Sequence, residues 1–104
     1  MIVTGGENVY STEVENVLYM HSGVLEAAVI GVSDIRWGEA VKAFVVLVEG
    51  YQTKQEEIIS FCKRNLAHFK APKSVEFLDF VPKTGPGKIN KGVLRTLAMG
   101  DNKG

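Results

Sequence analysis

The run Val24–Val48, VLEAAVIGVSDIRWGEAVKAFVVLV, decides the fold. Two stretches inside it, Val24–Val32 and Ala40–Val48, are almost wholly apolar and rich in β-branched residues. A strand buried on one face alternates apolar and polar residues, whereas a near-continuous apolar run marks one covered on both faces. The two stretches therefore read as long strands, and Val24–Val32 is expected at the centre of a sheet. Between them Ser33–Gly38 is a loop that holds the single tryptophan, Trp37.

Upstream, Met1–Thr4 and Glu7–Tyr10 read as two short strands around the turn signal Gly5-Gly6. A helix follows. Thr12 and Glu15 have the spacing of a capping box, and Val14, Val17, Leu18 and Met20 form its apolar face up to His21-Ser22-Gly23. Downstream, Glu49-Gly50-Tyr51 is a turn. Thr53–Leu66 reads as an amphipathic helix with Ile58, Ile59, Cys62 and Leu66 on one face. Ala71-Pro72 breaks the chain, Val75–Val81 alternates as a strand, Pro82–Gly87 is a loop, and Lys91–Met99 closes as a helix. Met99–Gly104 reads as a frayed polar tail. The order β-β-α-β-β-α-β-loop-α implies an α+β domain: a small, mostly antiparallel sheet packed with helices and preceded by a two-stranded hairpin.

Bulk properties bound the function. The 104 residues suit a single domain, and 45% apolar content belongs to a globular chain. The lone Cys62 excludes an intrachain disulfide, so a reducing, cytoplasmic setting is expected. No apolar run approaches the ~20 residues that span a bilayer, and the start MIVTGGEN lacks the pattern of a signal peptide. Net charge is zero but segregated. Residues 1–62 carry three bases against nine acids, and residues 63–95 carry eight bases against two acids. That asymmetry points to an anionic partner for the second part, with a solvated basic face as the plainer reading.

Four clusters carry possible chemistry. In Pro82–Lys91, PKTGPGKINK, glycines admit close backbone approach and Lys88 supplies a compact positive charge. The spacing is not that of a P-loop, and an exposed turn would have the same composition. Thr4-Gly5-Gly6-Glu7-Asn8 allows close approach of a narrow ligand, or is simply a hairpin turn. Trp37-Gly38-Glu39 offers an indole for stacking, or a cap on the core edge. His68–Lys73 sets an aromatic among bases, which suits a nucleotide surface or a helix C-terminus.

Taken in order, the motifs Gly-Gly-Glu-Asn, Glu13-Val14-Glu15, Trp37-Gly38-Glu39, Phe69-Lys70-Ala71-Pro72-Lys73, Pro82-Lys83-Thr84 and Gly87-Lys88-Ile89 strongly resemble the C-terminal domain of adenylate-forming enzymes. That family holds acyl- and aryl-CoA synthetases, peptide-synthetase adenylation domains and luciferases. The resemblance spans about Met1 to Ala98, and VYSTEVENVL with AAVIGVSDIRWGEAVKAFVVL looks most like ligases of fatty or other carboxylic acids. Ser11 stands where many members have proline.

The resemblance implies a mechanism. A carboxylic acid, expected to be a fatty acid, reacts with ATP·Mg²⁺ to give an acyl-adenylate, and the acyl group passes to CoA. The small domain acts as a lid with two orientations. Lys88 would meet the substrate carboxylate and the α-phosphate during adenylation. Gly5, Gly6 and Glu7 would line the pantetheine tunnel in the other orientation. Trp37, Phe69, Lys70 and Lys73 would lie near the nucleotide of CoA. The hinge residue and the large N-terminal adenylation domain would precede Met1, so residues 1–104 are expected to be the lid alone, inactive in isolation, with its own N-terminal domain as partner. A free-standing regulatory or binding module of the same fold is the alternative. A nucleic-acid binder is disfavoured because no nucleic-acid motif is present. Structural roles are expected for Cys62, for His21 as a helix cap or surface residue, and for His68. Glu13 and Glu15 are expected to be solvated acids, and Phe44, Phe77 and Phe80 core residues.

Overall fold

The computed structural model describes residues 1–101, with side chains for 1–98. Two short strands, β1 (Ile2–Thr4) and β2 (Glu7–Val9), precede helix α1 (Ser11–Tyr19). The long strands β3 (Val24–Asp34) and β4 (Gly38–Leu47) follow, then helix α2 (Gln55–Asn65), a 3-10 turn at His68–Lys70, and strand β5 (Ser74–Phe77). A small hairpin, β6 (Lys83–Gly85) with β7 (Lys88–Ile89), leads into helix α3 (Lys91–Asp101). The α+β class and the mostly antiparallel sheet are as the sequence implied. Among the described residues the one parallel pairing, β4 with β5, uses α2 as the crossover that parallel neighbours need.

β3 and β4 pair antiparallel from Val24↔Leu47 to Asp34↔Gly38. The apolar runs are buried on both faces. Ala27 and Val29 with Val41, Ala43 and Val45 pack against Val14, Val17 and Leu18 of α1 and Ile58 and Cys62 of α2. Ala28, Ile30, Phe44 and Val46 pack on the opposite side against Val81 and, from α3, Leu94 and Ala98. Burial pushes the Cys62 thiol up to about 11.

The sequence expectation fails on position. The sheet order is β2-β1-β4-β3, with β5 also on β4, so β3 is an edge and β4 the centre. An edge strand exposes unpaired amides, and α1 covers these. The Tyr19 hydroxyl bonds both the N–H and the C=O of Ala27 at 3.1 and 3.3 Å, and Glu15 accepts from the Val29 amide at 2.8 Å. Glu15 is thereby diverted from the expected capping box. The helix begins at Ser11, no side chain caps it, and Glu15 is not a solvated acid. Glu13 is ion-paired to Lys70 at 3.0 Å.

Other expectations are corrected. His21 is buried rather than a surface residue: its Nδ1 accepts from the Gly23 amide at 3.0 Å, and Tyr51 and Phe61 pack edge-on to its ring. β5 ends at Phe77, four residues short of Val81, because the last ladder bond runs from the Leu78 amide to the Val45 carbonyl. Past that bond the sheet no longer fixes which side faces inward, and Phe80 is 70% exposed. Phe77 lies at the exposed margin, and only Phe44 of the three is core. The loop Pro82–Gly87 contains strand β6. α3 runs through Asp101, so the expected tail is helical up to there and its remainder, 102–104, lies outside the described residues. No helix among the described residues is long and apolar enough to cross a membrane.

Candidate functional site

A cavity of about 480 Å³ opens where β1, β2, the β3–β4 turn and the 3-10 turn meet. Its floor is the β1–β2 turn. Thr4 pairs with Glu7 across two residues, Gly5 and Gly6, whose φ angles are 57° and 83°. Two consecutive positive φ values are the signature of a type I′ turn, which glycine alone enters without cost. The Gly5 amide donates to the Trp37 carbonyl at 2.8 Å, which ties the hairpin to the β3–β4 turn.

That turn is itself shaped by the sequence. Asp34 Oδ1 accepts from the amides of Arg36 and Trp37, both at 2.9 Å, and Gly38 takes φ 84°. The indole is thereby set against Gly5. A Cβ on Gly5 would lie 3.1 Å from Trp37 Cε3, while a Cβ on Gly6 would meet nothing within 4 Å. Trp37 remains 42% exposed. Opposite it, the Lys73 ammonium stands 5.7 Å from the indole centroid, and the Lys73 backbone amide donates a hydrogen bond to the Val41 carbonyl at 2.8 Å. Phe69, on the 3-10 turn, forms a further wall.

Of the residues singled out in the sequence, Gly5, Glu7, Trp37, Phe69 and Lys73 share this cavity. Gly6 is at the turn but faces open space. Lys70 is turned aside, its ammonium held by Glu13 at 3.0 Å and 5.7 Å from the Phe69 ring. Lys63 and His68 also line the cavity, and sequence reasoning did not assign them. The only signal for His68 was its place beside Phe69. Lys63 read as one of several polar residues on the outer face of α2. The wall chemistry is aromatic planes, glycine backbone and cationic groups, which accommodates a planar base and phosphates. Among the described residues no three His, Cys, Asp or Glu side chains gather as a metal site.

Lys88 is elsewhere. It follows the turn Pro86-Gly87, where Gly87 takes φ 78°, and stands exposed at the start of β7. The Pro-Gly order with positive φ at glycine fits a type II turn. The hairpin base is tied to the other end of the long strands: Lys83 Nζ meets Glu26 Oε1 at 2.8 Å. The cavity adjoins Asp34, at the far end of β3. Eight residues of strand at ~3.3 Å each separate Glu26 from Asp34, on the order of 26 Å.

Residues 13–88 match the family described as "AMP-binding enzyme C-terminal domain". The chain belongs to that family. It is 53% identical over 95 residues to a feruloyl-CoA synthase of Amycolatopsis sp, and 45% identical over 111 residues to a peroxisomal benzoate–CoA ligase of Arabidopsis thaliana. Those matches take in 91% and 96% of this chain but 19% of each relative. The crystal structure of a Brucella canis acyl-CoA synthetase superposes with a TM-score of 0.90 at 35% identity, over 97% of this chain and 19% of that one. The chain thus corresponds to a C-terminal piece of adenylate-forming CoA ligases and spans about a fifth of their length.

Proposed function

We propose that the chain is the lid domain of an acid–thiol ligase, which activates a carboxylic acid with ATP and passes the acyl group to CoA. One observation carries the reading. The cavity built from Gly5, Trp37, Phe69 and Lys73 adjoins Asp34 at one end of the β3–β4 hairpin, and the small hairpin bearing Lys88 is tied through Lys83 to Glu26 toward the other end. A single pose cannot present both to one reacting carboxyl group. Two poses, one for each half-reaction, can.

In the first, a carboxylate oxygen attacks the α-phosphorus of ATP and the bond to pyrophosphate breaks. Two anions must approach each other, and the Lys88 ammonium offsets their repulsion and the charge that builds in the transition state. In the second, the CoA sulfur attacks the acyl carbon and AMP leaves. The Gly5-Gly6 turn borders the pantetheine path, while Trp37, Phe69 and Lys73, with Lys63 and His68, receive the nucleotide end. The ATP and acid pockets, and the magnesium that accompanies ATP, belong to the N-terminal domain with which the lid works. The names of the two curated relatives, a feruloyl and a benzoate ligase, favour an aromatic acid over the fatty acid read from the sequence.

The test joins this chain to the adenylation domain of a feruloyl-CoA synthase and follows acid-dependent pyrophosphate release. Lys88→Ala should cut release by about 100- to 1,000-fold, the range for losing one preorganised electrostatic contact, and should spare thioester formation from supplied acyl-adenylate. Undiminished release would sink the assignment.

A further inference from the structure

We propose that Lys91 is a positioning residue: gripped by Glu15 and Ser11, it fixes where the Lys88 hairpin is delivered. The proposal rests on the adenylation role given to Lys88. The hairpin of β6 and β7 is separate from the main sheet and has only three and two residues in its strands. A hairpin that small does not hold itself in place in water. Its position must come from its ends.

The apolar attachment is made by Val81 before it, by Ile89, and by Leu94 and Ala98 of α3, all against one face of the sheet. The Asn90 amide closes the loop on the Pro82 carbonyl at 2.7 Å, and Asn90 Oδ1 accepts from the Val93 amide at 3.2 Å to start the helix. These contacts hold α3 on the sheet. Apolar burial is non-directional, so it leaves the helix free to slide or roll by small amounts. Directional ties are needed to fix the register.

Two are present. Lys83 Nζ meets Glu26 at 2.8 Å, but the side chains are 38% and 31% exposed, and such surface pairs constrain little. Lys91 Nζ meets Glu15 Oε2 at 3.1 Å and donates to Ser11 Oγ at 3.1 Å. Here the Lys91 side chain is 30% exposed but the Glu15 side chain only 14%, and that carboxylate is pinned by the Val29 amide at 2.8 Å. Covering the β3 edge needs an acceptor at position 15 but no cation opposite it. The cation, three residues after Lys88, turns a fixed carboxylate on α1 into an anchor for the loop.

The test uses the same joined protein with Lys91→Ala, Lys91→Arg, Lys83→Ala and Lys88→Ala. Lys91→Ala should lower kcat for pyrophosphate release on the order of 10- to 100-fold, as small misplacements of a reacting group do, with KM for ATP little changed. Thioester formation from supplied acyl-adenylate should stay at the wild-type rate. Amide hydrogen exchange, measured on the same variants, should quicken in residues 82–90 and not in β3 or β4. Lys91→Arg should restore both readouts, and Lys83→Ala should fall short of Lys91→Ala in both. Wild-type release in Lys91→Ala, equal loss in the two half-reactions, or unchanged exchange in 82–90 would overturn the proposal. Undiminished release in Lys88→Ala refutes the role of Lys88 instead, so the two failures are distinct.

Discussion

Gly6→Leu separates the two half-reactions from the side opposite to Lys88. Gly6 has φ 83°, and a Cβ built on it meets nothing within 4 Å. Within this chain the added Cβ therefore costs backbone strain and no clash. Holding a non-glycine residue in the left-handed region costs roughly 1–2 kcal/mol. A domain of this size has about 5–15 kcal/mol of stability, so the variant stays folded at 25 °C. Its melting temperature should drop by about 4–8 °C per kcal/mol. Gly6→Ala carries the same strain and supplies the control. From that open Cβ position the rest of the leucine side chain would enter the space assigned to the pantetheine arm. Overfilling a packed site costs about 1–3 kcal/mol, which is roughly a 5- to 160-fold loss of rate. The assay is thioester formation from supplied acyl-adenylate in the joined protein, beside circular dichroism melts of both variants. Gly6→Leu should lose transfer, keep acid-dependent pyrophosphate release and melt with Gly6→Ala. Unimpaired transfer in Gly6→Leu refutes the tunnel reading, and melting well below Gly6→Ala refutes the claim of open space.

Trp37 is the only tryptophan, so its emission should change on titration with CoA. Lys73→Ala should weaken that binding about two- to fivefold, the worth of one exposed cation–π contact and of the charge it brings; an unaltered titration would remove both residues from the nucleotide surface. Cys62 is fully buried, and its thiol is raised from 9.0 to about 11. At pH 8 only about one thiol in a thousand is ionised, so a disulfide reagent should label the native chain slowly and the urea-unfolded chain fast. The sign of the linkage follows. A raised pKa leaves the thiol's contribution intact below pH 9 and removes it as pH climbs toward 11, so a Cys62→Ala variant should show a shallower loss of stability over that window.

The fold was legible where one chain segment decides the outcome and illegible where a distant partner does. The apolar run Val24–Val32 announces a strand covered on both faces and Ala40–Val48 a second long strand, and both strands are covered on both faces. Nothing in those runs says which strand is central. That depends on β1 and β5 both arriving beside β4, pairings made some 30 residues away in sequence on either side. Glu15 has the spacing of a capping residue, yet the Val29 amide at the bare edge of β3 has the stronger claim on it, because a buried unpaired donor costs more than an uncapped helix start. Phe80 continued an alternation whose ladder had already ended at Leu78. At the site, glycines and aromatics were readable because their backbone or ring has few other uses in a turn. Lys63 and His68 were not, since a polar residue on a helix or at its end looks the same whether it faces a ligand or water.

The charge segregation shows how such a signal is divided once the chain folds. An acidic first part and a basic second part point to an anionic partner, but much of the attraction is satisfied inside the molecule. Lys70 goes to Glu13, Lys83 to Glu26 and Lys91 to Glu15, each joining the basic part to the acidic one. The basic groups that instead face the cavity are Lys63, Lys73 and His68, and Lys88 stands exposed at the far hairpin. The pairs are therefore part of what separates the two cationic sites. Of the three, the Lys91–Glu15 pair holds the Lys88 hairpin to α1, while Lys83–Glu26 and Lys70–Glu13 are partly exposed pairs that neutralise charge more than they fix position. The two-pose role proposed for this domain requires that separation, because a rotation can exchange the two sites only if they do not drift toward each other.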